Sequence, residues 1–467
     1  MPDSELARKQ LLDRIEQLIE AKDFEELRRL LSESRSSDVA EVVEVLDEIA
    51  RQILFDLLDP KNAGEVLEKI DEATRSQVVE ELTSDKLTGI VSTMAPDEAA
   101  DVVAELNEEQ TEQVLDQIPK AESDQIEKLL GYEEDTAGGL MNPELVTANI
   151  KGTVTDAIHS FREADPEEDF YYIFIVDDDG RLRGAVGLDT LLRHPRRTPI
   201  ADILEEELPT VDAGADQEEI ANTFRKNDLI VMPVVDEKGV LLGRITVDDV
   251  VEVMDEEAEE DALVMAGTHP AELDTPSIFR AATIRLPWLL TCLIGTIITA
   301  TFYCLFNPFF TMPEWAAIIM FVPMINSMGG NCGLQTSTIV VRGLATGDLA
   351  ALNIIKAFLR EVRIALIIAI CCGVGAGVIA TLVLHFGASI YSLEPSKVPI
   401  IGLSVSMAMF CGIMLATTNG LVLPFGFRKI GIDPAISAGP FVTTANDSIG
   451  CLTYFTLALL LLRMFGG

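Results

Sequence analysis

The stretch ISAGPFVTTANDSIGCLTYFTLALLLL, running from Ile436 to Leu462, decides the architecture. As a helix it is long enough to cross about 30 Å of hydrocarbon. It contains one acid, Asp447. An ionisable side chain near the bilayer centre costs roughly 2.5–3.5 kcal/mol on insertion scales, and no apolar neighbour repays that. Such a carboxylate reads by default as a binding site on a cation pathway. The plainer alternative is a polar contact between packed helices.

Four more apolar segments precede it, at about 286–306, 315–340, 362–386 and 399–424, each of spanning length. The loop 341–363 carries Arg342, Lys356, Arg360 and Arg363, and the loop 425–435 carries Arg428 and Lys429. Arg280 and Arg285 precede the first span, while the opposite loops, 307–314 and 387–398, hold only Lys397. Positive charge stays inside, so the N-terminal half is expected in the cytoplasm and the C-terminus outside, in a multi-pass cell-membrane protein. Residues 1–30 are charged and helix-forming, and no signal peptide is expected there.

Charge divides along the same line. Residues 286–467 hold six acids and eight bases, which leaves −43 of the total −41 on residues 1–285. A surface so acidic excludes nucleic acid as a natural partner and attracts cations. All seven cysteines lie at or beyond Cys292, so the acidic half has no disulfide framework. The four histidines are scattered without zinc-ligand spacing. No nucleophile–base constellation, phosphate-binding loop or metal-hydrolase spacing is present, so no enzyme is expected.

Within the membrane half, residues 327–338 (SMGGNCGLQTST) combine three glycines with Asn331, Gln335 and Thr336, too polar for a lipid-facing surface. Gly373 to Gly377 (GVGAG) is a second run of small residues. Glycine permits both a close helix seam and a broken helix whose carbonyls line a cavity, and the first run reads as pore-lining or as a seam. Five helices with one acid enclose a pore poorly. A homodimer would bring two copies of Asp447 onto an axis.

The acidic half has two internal repeats. Apolar residues recur every twelve positions at Val42, Leu54, Val66, Val78, Ile90, Val102, Val114 and Ile126, and again four residues later from Leu46 to Leu130. This predicts short helices of about two turns stacked as a superhelix. On one of them Asp97 and Asp101 project together. From 141 to 255, YYIFIVDDDG (171–180) matches LIVMPVVDEKG (229–239) at an offset of 59 residues. Each is a strand, an acidic turn, a second strand and a helix. The pattern resembles a tandem pair of CBS domains, and the second copy keeps that family's nucleoside signature in Gly243, Thr246 and Asp249. The resemblance implies an adenosine nucleotide such as ATP at the second copy, with Thr246 toward phosphate and Asp249 toward ribose. The first copy has Gly187 and Thr190 there instead. An acid run from Asp248 to Asp261 then enters a segment, about 260–284, expected to be helical and to lead directly into the first span. Carboxylates without His or Cys favour Mg²⁺ or Ca²⁺.

Three stretches complete the pattern: NCGLQ (331–335) with RGLATGD (342–348), DPAISAGPFVTTAND (433–447), and YEEDTAGGLM (132–141). Together with the order of parts they resemble the MgtE family of magnesium channels over nearly the whole chain. The fold expected is multidomain: an all-α superhelical N-domain (1–131), an α/β tandem CBS pair (132–255), a connecting helix (256–284) and a five-helix transmembrane domain (285–467). The resemblance implies a homodimeric Mg²⁺ channel in the lipid bilayer, importing Mg²⁺ past Asp447 and closed by cytosolic Mg²⁺. The implied sensor positions are Glu65, Asp97 and Asp101 in the superhelix, and Asp216, Glu218, Asp228, Asp249 and Glu252 in the CBS pair. At the joint they are Glu257, Glu260, Asp261 and Asp433. Leu334 departs from the family, which commonly has a polar residue there, so altered pore polarity is expected. Two other readings are a coupled exchanger of divalent cations and a non-transporting receptor for Mg²⁺ or nucleotide. The lack of a second intramembrane acid weighs against the exchanger.

Overall fold

The twelve-residue ladder is the core of the N-terminal region. Val42, Leu54, Val66, Val78, Ile90, Val102, Val114 and Ile126 are all 2% exposed or less. The structure, a computed structural model, describes residues 2–164, 170–205, 207–273, 275, 277–311, 313–346, 354–391 and 393–465. It divides into two units, Met1–Asp255 and Glu256–Gly467.

In the first unit α1 (Pro2–Ala21) and α2 (Phe24–Glu33) lead into α3 (Ser36–Val43), α4 (Glu48–Leu57), α5 (Pro60–Lys69), α6 (Glu72–Glu81), α7 (Ser84–Val91), α8 (Pro96–Ala104), α9 (Glu108–Gln117) and α10 (Lys120–Leu129). The period also sets the caps. Asp47, Asp59, Asp71 and Asn107 each accept from the backbone N–H three residues on, at 2.8–3.1 Å. An N-cap oxygen satisfies a donor that the first helical turn leaves unpaired. The second apolar row behaves differently from the first. Leu58, Ile70, Leu82 and Ile118 are helix C-caps, and Leu130, also a C-cap, is exposed. Helices pack on the next but one, as in α3 on α5, α5 on α7, α7 on α9, α4 on α6 and α8 on α10.

The two β-containing repeats follow: β1 (Thr147–Asn149), α11 (Val154–Ala164), β2 (Tyr172–Val176), β3 (Leu182–Gly187), α12 (Leu188–Arg193), then β4 (Val211–Asp212), α13 (Gln217–Asn227), β5 (Val231–Val235), β6 (Leu241–Thr246) and α14 (Val247–Ala266). Each sheet has three strands, the first parallel and the third antiparallel to the central one. The 59-residue offset holds in register: Tyr172 pairs with Gly187 as Val231 pairs with Thr246. The copies face each other about a local two-fold. The Leu182 N–H donates to Gly239 and the Leu241 N–H to Gly180, and Arg181 bridges to Val240. Apolar residues of the helical stack and of the second repeat, among them Met141, Phe224 and Met232, share one core.

The second unit contains α15 (Ile278–Phe306), α16 (Pro313–Met320), α17 (Val322–Ala345), α18 (Ile354–Tyr391), α19 (Val398–Lys429) and α20 (Pro440–Phe465). They supply five candidate membrane spans, so the chain is a multi-pass membrane protein. α19 packs on α17, α18 and α20, and α15 lies on α20 with most of its apolar side chains exposed.

Two expectations change here, and one open reading narrows. The second span is two helices, α16 and α17, broken at Phe321. Pro323 has no N–H to give to Ile319, and the Tyr454 hydroxyl donates to the neighbouring Ile318 carbonyl at 2.9 Å. The glycine run, by contrast, lies inside the unbroken α17. Gly333 is the close approach, since a Cβ there would lie 3.2 Å from the Ala416 carbonyl and 2.0 Å from Asn446 Nδ2. That is a helix seam, while Asn331 and Gln335 stay exposed one turn apart. The connecting segment is not one helix either: α14 ends at Ala266, Gly267 turns with φ +84°, and α15 starts after the cap Ser277. Leu334 packs with Val264, Val341, Ala435 and Ala438 rather than standing free on a polar surface. Asp348 lies outside the described residues.

The cap series generates a test. Asp71 accepts from both the N–H and the hydroxyl of Thr74 at 2.8 Å. Asp71→Ala should lower stability by about 1 kcal/mol in chemical denaturation of the purified chain, while Arg28→Ala, an exposed non-capping change, should leave it in place.

Candidate functional site

Asp447 lies in the second turn of α20, half-buried among the spans. Among the described residues no Lys or Arg pairs with it and no side chain donates to it. The residues on either side are tied down. Asn446 is 3% exposed and its Oδ1 accepts from Asn419 Nδ2 on α19 at 3.0 Å. Ser448 Oγ lies 2.8 Å from Thr299 Oγ1 on α15 and donates to the Gly295 carbonyl at 3.3 Å. The carboxylate is thus aimed by its neighbours and left uncompensated. A carboxylate at that depth needs a partner, and a cation meets the need.

The acids singled out in the sequence fall into groups. In the first unit Asp97 accepts from Asn142 Nδ2 at 3.2 Å, which links α8 to the loop ahead of the first sheet. One turn on, the Asp101 side chain is exposed to solvent, while the protein crowded around it pushes its carboxyl up to about 6. Arg75 opposes that shift, and Glu134, Glu252 and Glu105 add to it. Arg75 is held by Glu105 at 2.5 Å. Glu252, from the second repeat, therefore shares the field of Asp101 from the helical stack. Glu65 stands apart and accepts from the Ser36 hydroxyl at 2.6 Å. Asp216 caps α13, with Glu218 in its first turn, whereas Asp228 is the left-handed C-cap of the same helix (φ 52°). The two ends of an eleven-residue helix lie about 16 Å apart, so they form no common site within one chain. Asp249 Oδ2 accepts from the hydroxyl of Thr246 at 2.7 Å and from its N–H at 3.2 Å, which holds the nucleoside signature in a tight turn. In the first repeat the nearest counterpart, Thr190 to Asp189, is 3.5 Å.

In the second unit Glu257 is half-buried on α14, and Glu260 and Asp261 follow. Burial pushes the Asp261 carboxyl up to about 6, and the charges of Asp433 and Glu260 push the same way. Asp433 is exposed and caps the short helix before α20, accepting from the Ala435 N–H at 2.8 Å. Two glycines let α14 come this close: a Cβ on Gly439 would lie 1.9 Å from the Met265 carbonyl, and one on Gly267 would lie 2.8 Å from Pro440 Cγ. Among the described residues no three His, Cys, Asp or Glu side chains converge on one metal-sized point. The acids meet as repelling neighbours, a geometry that suits a hydrated divalent ion held through its waters. Arg75, Glu105, Glu134, Asn142 and Asn419 were not legible as parts of these sites, because they meet their partners through tertiary packing. Asn446 was signalled by its place beside Asp447 in an apolar segment.

Comparison with known proteins follows the same division. The MgtE divalent cation transporter family matches residues 322–457, the MgtE intracellular N domain matches 34–135, and the CBS domain matches 137–197 and 200–256. The magnesium transporter MgtE of Enterococcus faecalis is 34% identical over 345 residues, 74% of this chain and 73% of its own length. That of Thermus thermophilus is 34% identical over 345 residues, 73% of each chain. Among solved structures, the cytosolic domain of the Mg²⁺ channel MgtE in complex with ATP is 32% identical over 52% of this chain and 99% of that one, with a TM-score of 0.49. The class is a multi-pass membrane protein with a cation-transporter core and a CBS pair. The chain belongs to the MgtE family.

Asp261 makes stability depend on pH. Its folded carboxyl holds a proton that an unfolded aspartate releases, so its stabilising contribution is full in acid and is lost as pH rises through about 6. In Mg²⁺-free detergent, thermal stability of the chain should fall between about pH 4 and 6, and Asp261→Asn should flatten that slope. An unchanged slope in the variant would show that Asp261 titrates as an ordinary carboxylate.

Proposed function

We propose that the protein is a Mg²⁺ channel that imports Mg²⁺ past Asp447 and is closed by cytosolic Mg²⁺ bound at its acidic sites. The observation that carries the reading is the uncompensated, sterically aimed carboxylate of Asp447 in α20. The names of the relatives, magnesium transporters, supply the ion. Mg²⁺ dehydrates reluctantly, so the substrate passes as a hydrated ion gripped through its waters by Asp447 carboxylates and nearby backbone carbonyls. Two copies of the chain form the pore, because one chain offers one carboxylate. The exposed Asn331 and Gln335 on α17 are unsuited to lipid and fit such an interior. The N-terminal half is cytoplasmic and the C-terminus outside, from the distribution of Lys and Arg in the loops.

Gating follows from the acids. Without a cation, Asp101 with Glu252, and Asp261 with Asp433, repel across the contacts they share. Glu65, Asp97, Asp216, Glu218, Asp228, Asp249, Glu257 and Glu260 complete the sensor set. Mg²⁺ removes the repulsion and stabilises the packed, closed arrangement in proportion to its tighter binding there. Several linked sites make the response steep. ATP binds at the second CBS repeat, through Thr246 and Asp249, whose hydrogen-bonded turn is the feature that supports it.

The test is Mg²⁺ uptake into proteoliposomes under an inward-negative voltage, at low and high Mg²⁺ on the cytosolic side. Wild type should carry voltage-driven flux that falls at high cytosolic Mg²⁺, and Asp447→Ala should abolish it. Flux that requires a proton or sodium gradient would replace the channel with an exchanger. No flux from folded protein under any condition would leave a receptor. In patch recordings, Asp249→Ala combined with Glu257→Ala should keep the channel open at high Mg²⁺; unchanged closure would remove the sensor role.

A further inference from the structure

We infer that Asn446 is a positioning residue for the Asp447 carboxylate, acting through its amide contact with Asn419. This rests on the reading of Asp447 as the ion-binding group.

Asn446 is an expensive residue to keep where it stands. It is 3% exposed inside a membrane-spanning helix, and one of its polar atoms, Nδ2, has no hydrogen-bond partner among the described residues. Its other polar atom, Oδ1, accepts a hydrogen bond from Asn419 Nδ2 at 3.0 Å. The amide occupies a niche that exists only because residue 333 is glycine, since a Cβ there would sit 2.0 Å from Nδ2. A leucine would fill an apolar seam at no such cost, and simple adhesion explains the pair poorly. Interhelical side-chain hydrogen bonds in membranes contribute little on average, because the separated helices find other partners.

Position explains it better. Neighbouring residues on a helix point about 100° apart, so fixing residue 446 on the α17–α19 seam fixes the direction of residue 447. Ser448, one step further round, is fixed to α15 through Thr299 and the Gly295 carbonyl. Asp447 is bracketed by two polar contacts on two different helices. Rotation of α20 would break one or both. The side chain that meets the ion has no hydrogen-bonding partner of its own among the described residues, so its direction is set by these neighbours. Groups that orient a metal ligand are commonly worth about 10–100-fold in affinity, and here the orientation is passed on through the α20 backbone rather than by a bond to the carboxylate.

The experiment measures Mg²⁺ flux against Mg²⁺ concentration for full-length Asn446→Ala, Asn419→Ala and the double variant in proteoliposomes, normalised to folded protein, with Ca²⁺ as competitor. Each single variant should raise half-saturating Mg²⁺ by about tenfold and weaken discrimination against Ca²⁺. Maximal flux should change little. The double variant should add little to either single one, because both break one contact. Maximal flux that falls with half-saturation and Ca²⁺ discrimination unchanged would overturn the inference and leave a purely adhesive pair. Should Asn446→Ala fail to fold, Asn419→Ala at the half-buried end of the pair decides alone, with Asn419→Ser expected to restore part of the affinity. Asp447→Ala runs in parallel. Flux retained in Asp447→Ala overturns the ion-site reading itself, whereas flux lost there with unchanged Asn446 and Asn419 variants overturns only the positioning role.

Discussion

A lone carboxylate within a membrane-spanning helix is the constraint to which the membrane unit answers. Asp447 has no cationic partner among the described residues, and its neighbours spend their hydrogen bonds on α19 and α15. The helices around it are packed so tightly that glycine is required at the crossing: a Cβ on Gly420 would lie 2.4 Å from the Gly333 carbonyl. Close backbone approach gives the unit its van der Waals cohesion where no hydrophobic effect operates between helices. At the break in the second span the Ile318 carbonyl accepts from both the Phe321 N–H and the Tyr454 hydroxyl.

The acidic unit solves the opposite problem. Its surface charge is large, and its order comes from a repeated apolar rung and a repeated cap that keep each short helix in register with the next. Charge repulsion is concentrated where elements of different kinds meet. Asp101 of the helical stack shares its surroundings with Glu252 of the second repeat, and Asp261 faces Asp433 in the membrane unit. Both carboxyls are pushed up by burial first and by neighbouring acids besides. A protein built only for stability would place Lys or Arg at such points, as it does between Arg75 and Glu105.

Local periodicity made most of the architecture legible. The rungs from Val42 to Ile126 and the 59-residue offset hold residue by residue, because burial in a repeat obeys the same spacing each time. The five spans were equally plain. What failed to show was local geometry decided by a single residue: Pro323 splitting the second span, and Gly267 ending α14 before the first. The run 327–338 was readable as polar and small, yet its helical continuity was not, since glycine tolerates both conformations. The packing of Leu334 was not legible because its partners, Val264 and Ala435, come from distant parts of the chain. For the same reason the candidate acids could be named, while their division into separate groups, with Asp216 and Asp228 at opposite ends of α13, needed the fold.

The meeting of Gly267 with Pro440, and of Gly439 with Met265, has an evolutionary consequence. Both glycines have positive φ, and neither has room for even a methyl group. The contact therefore cannot be improved or weakened in small steps by substitution at its centre. Divergence in how firmly this joint holds has to be written in the acids around it, where adding or removing one carboxylate changes the charge and leaves the backbone fit untouched.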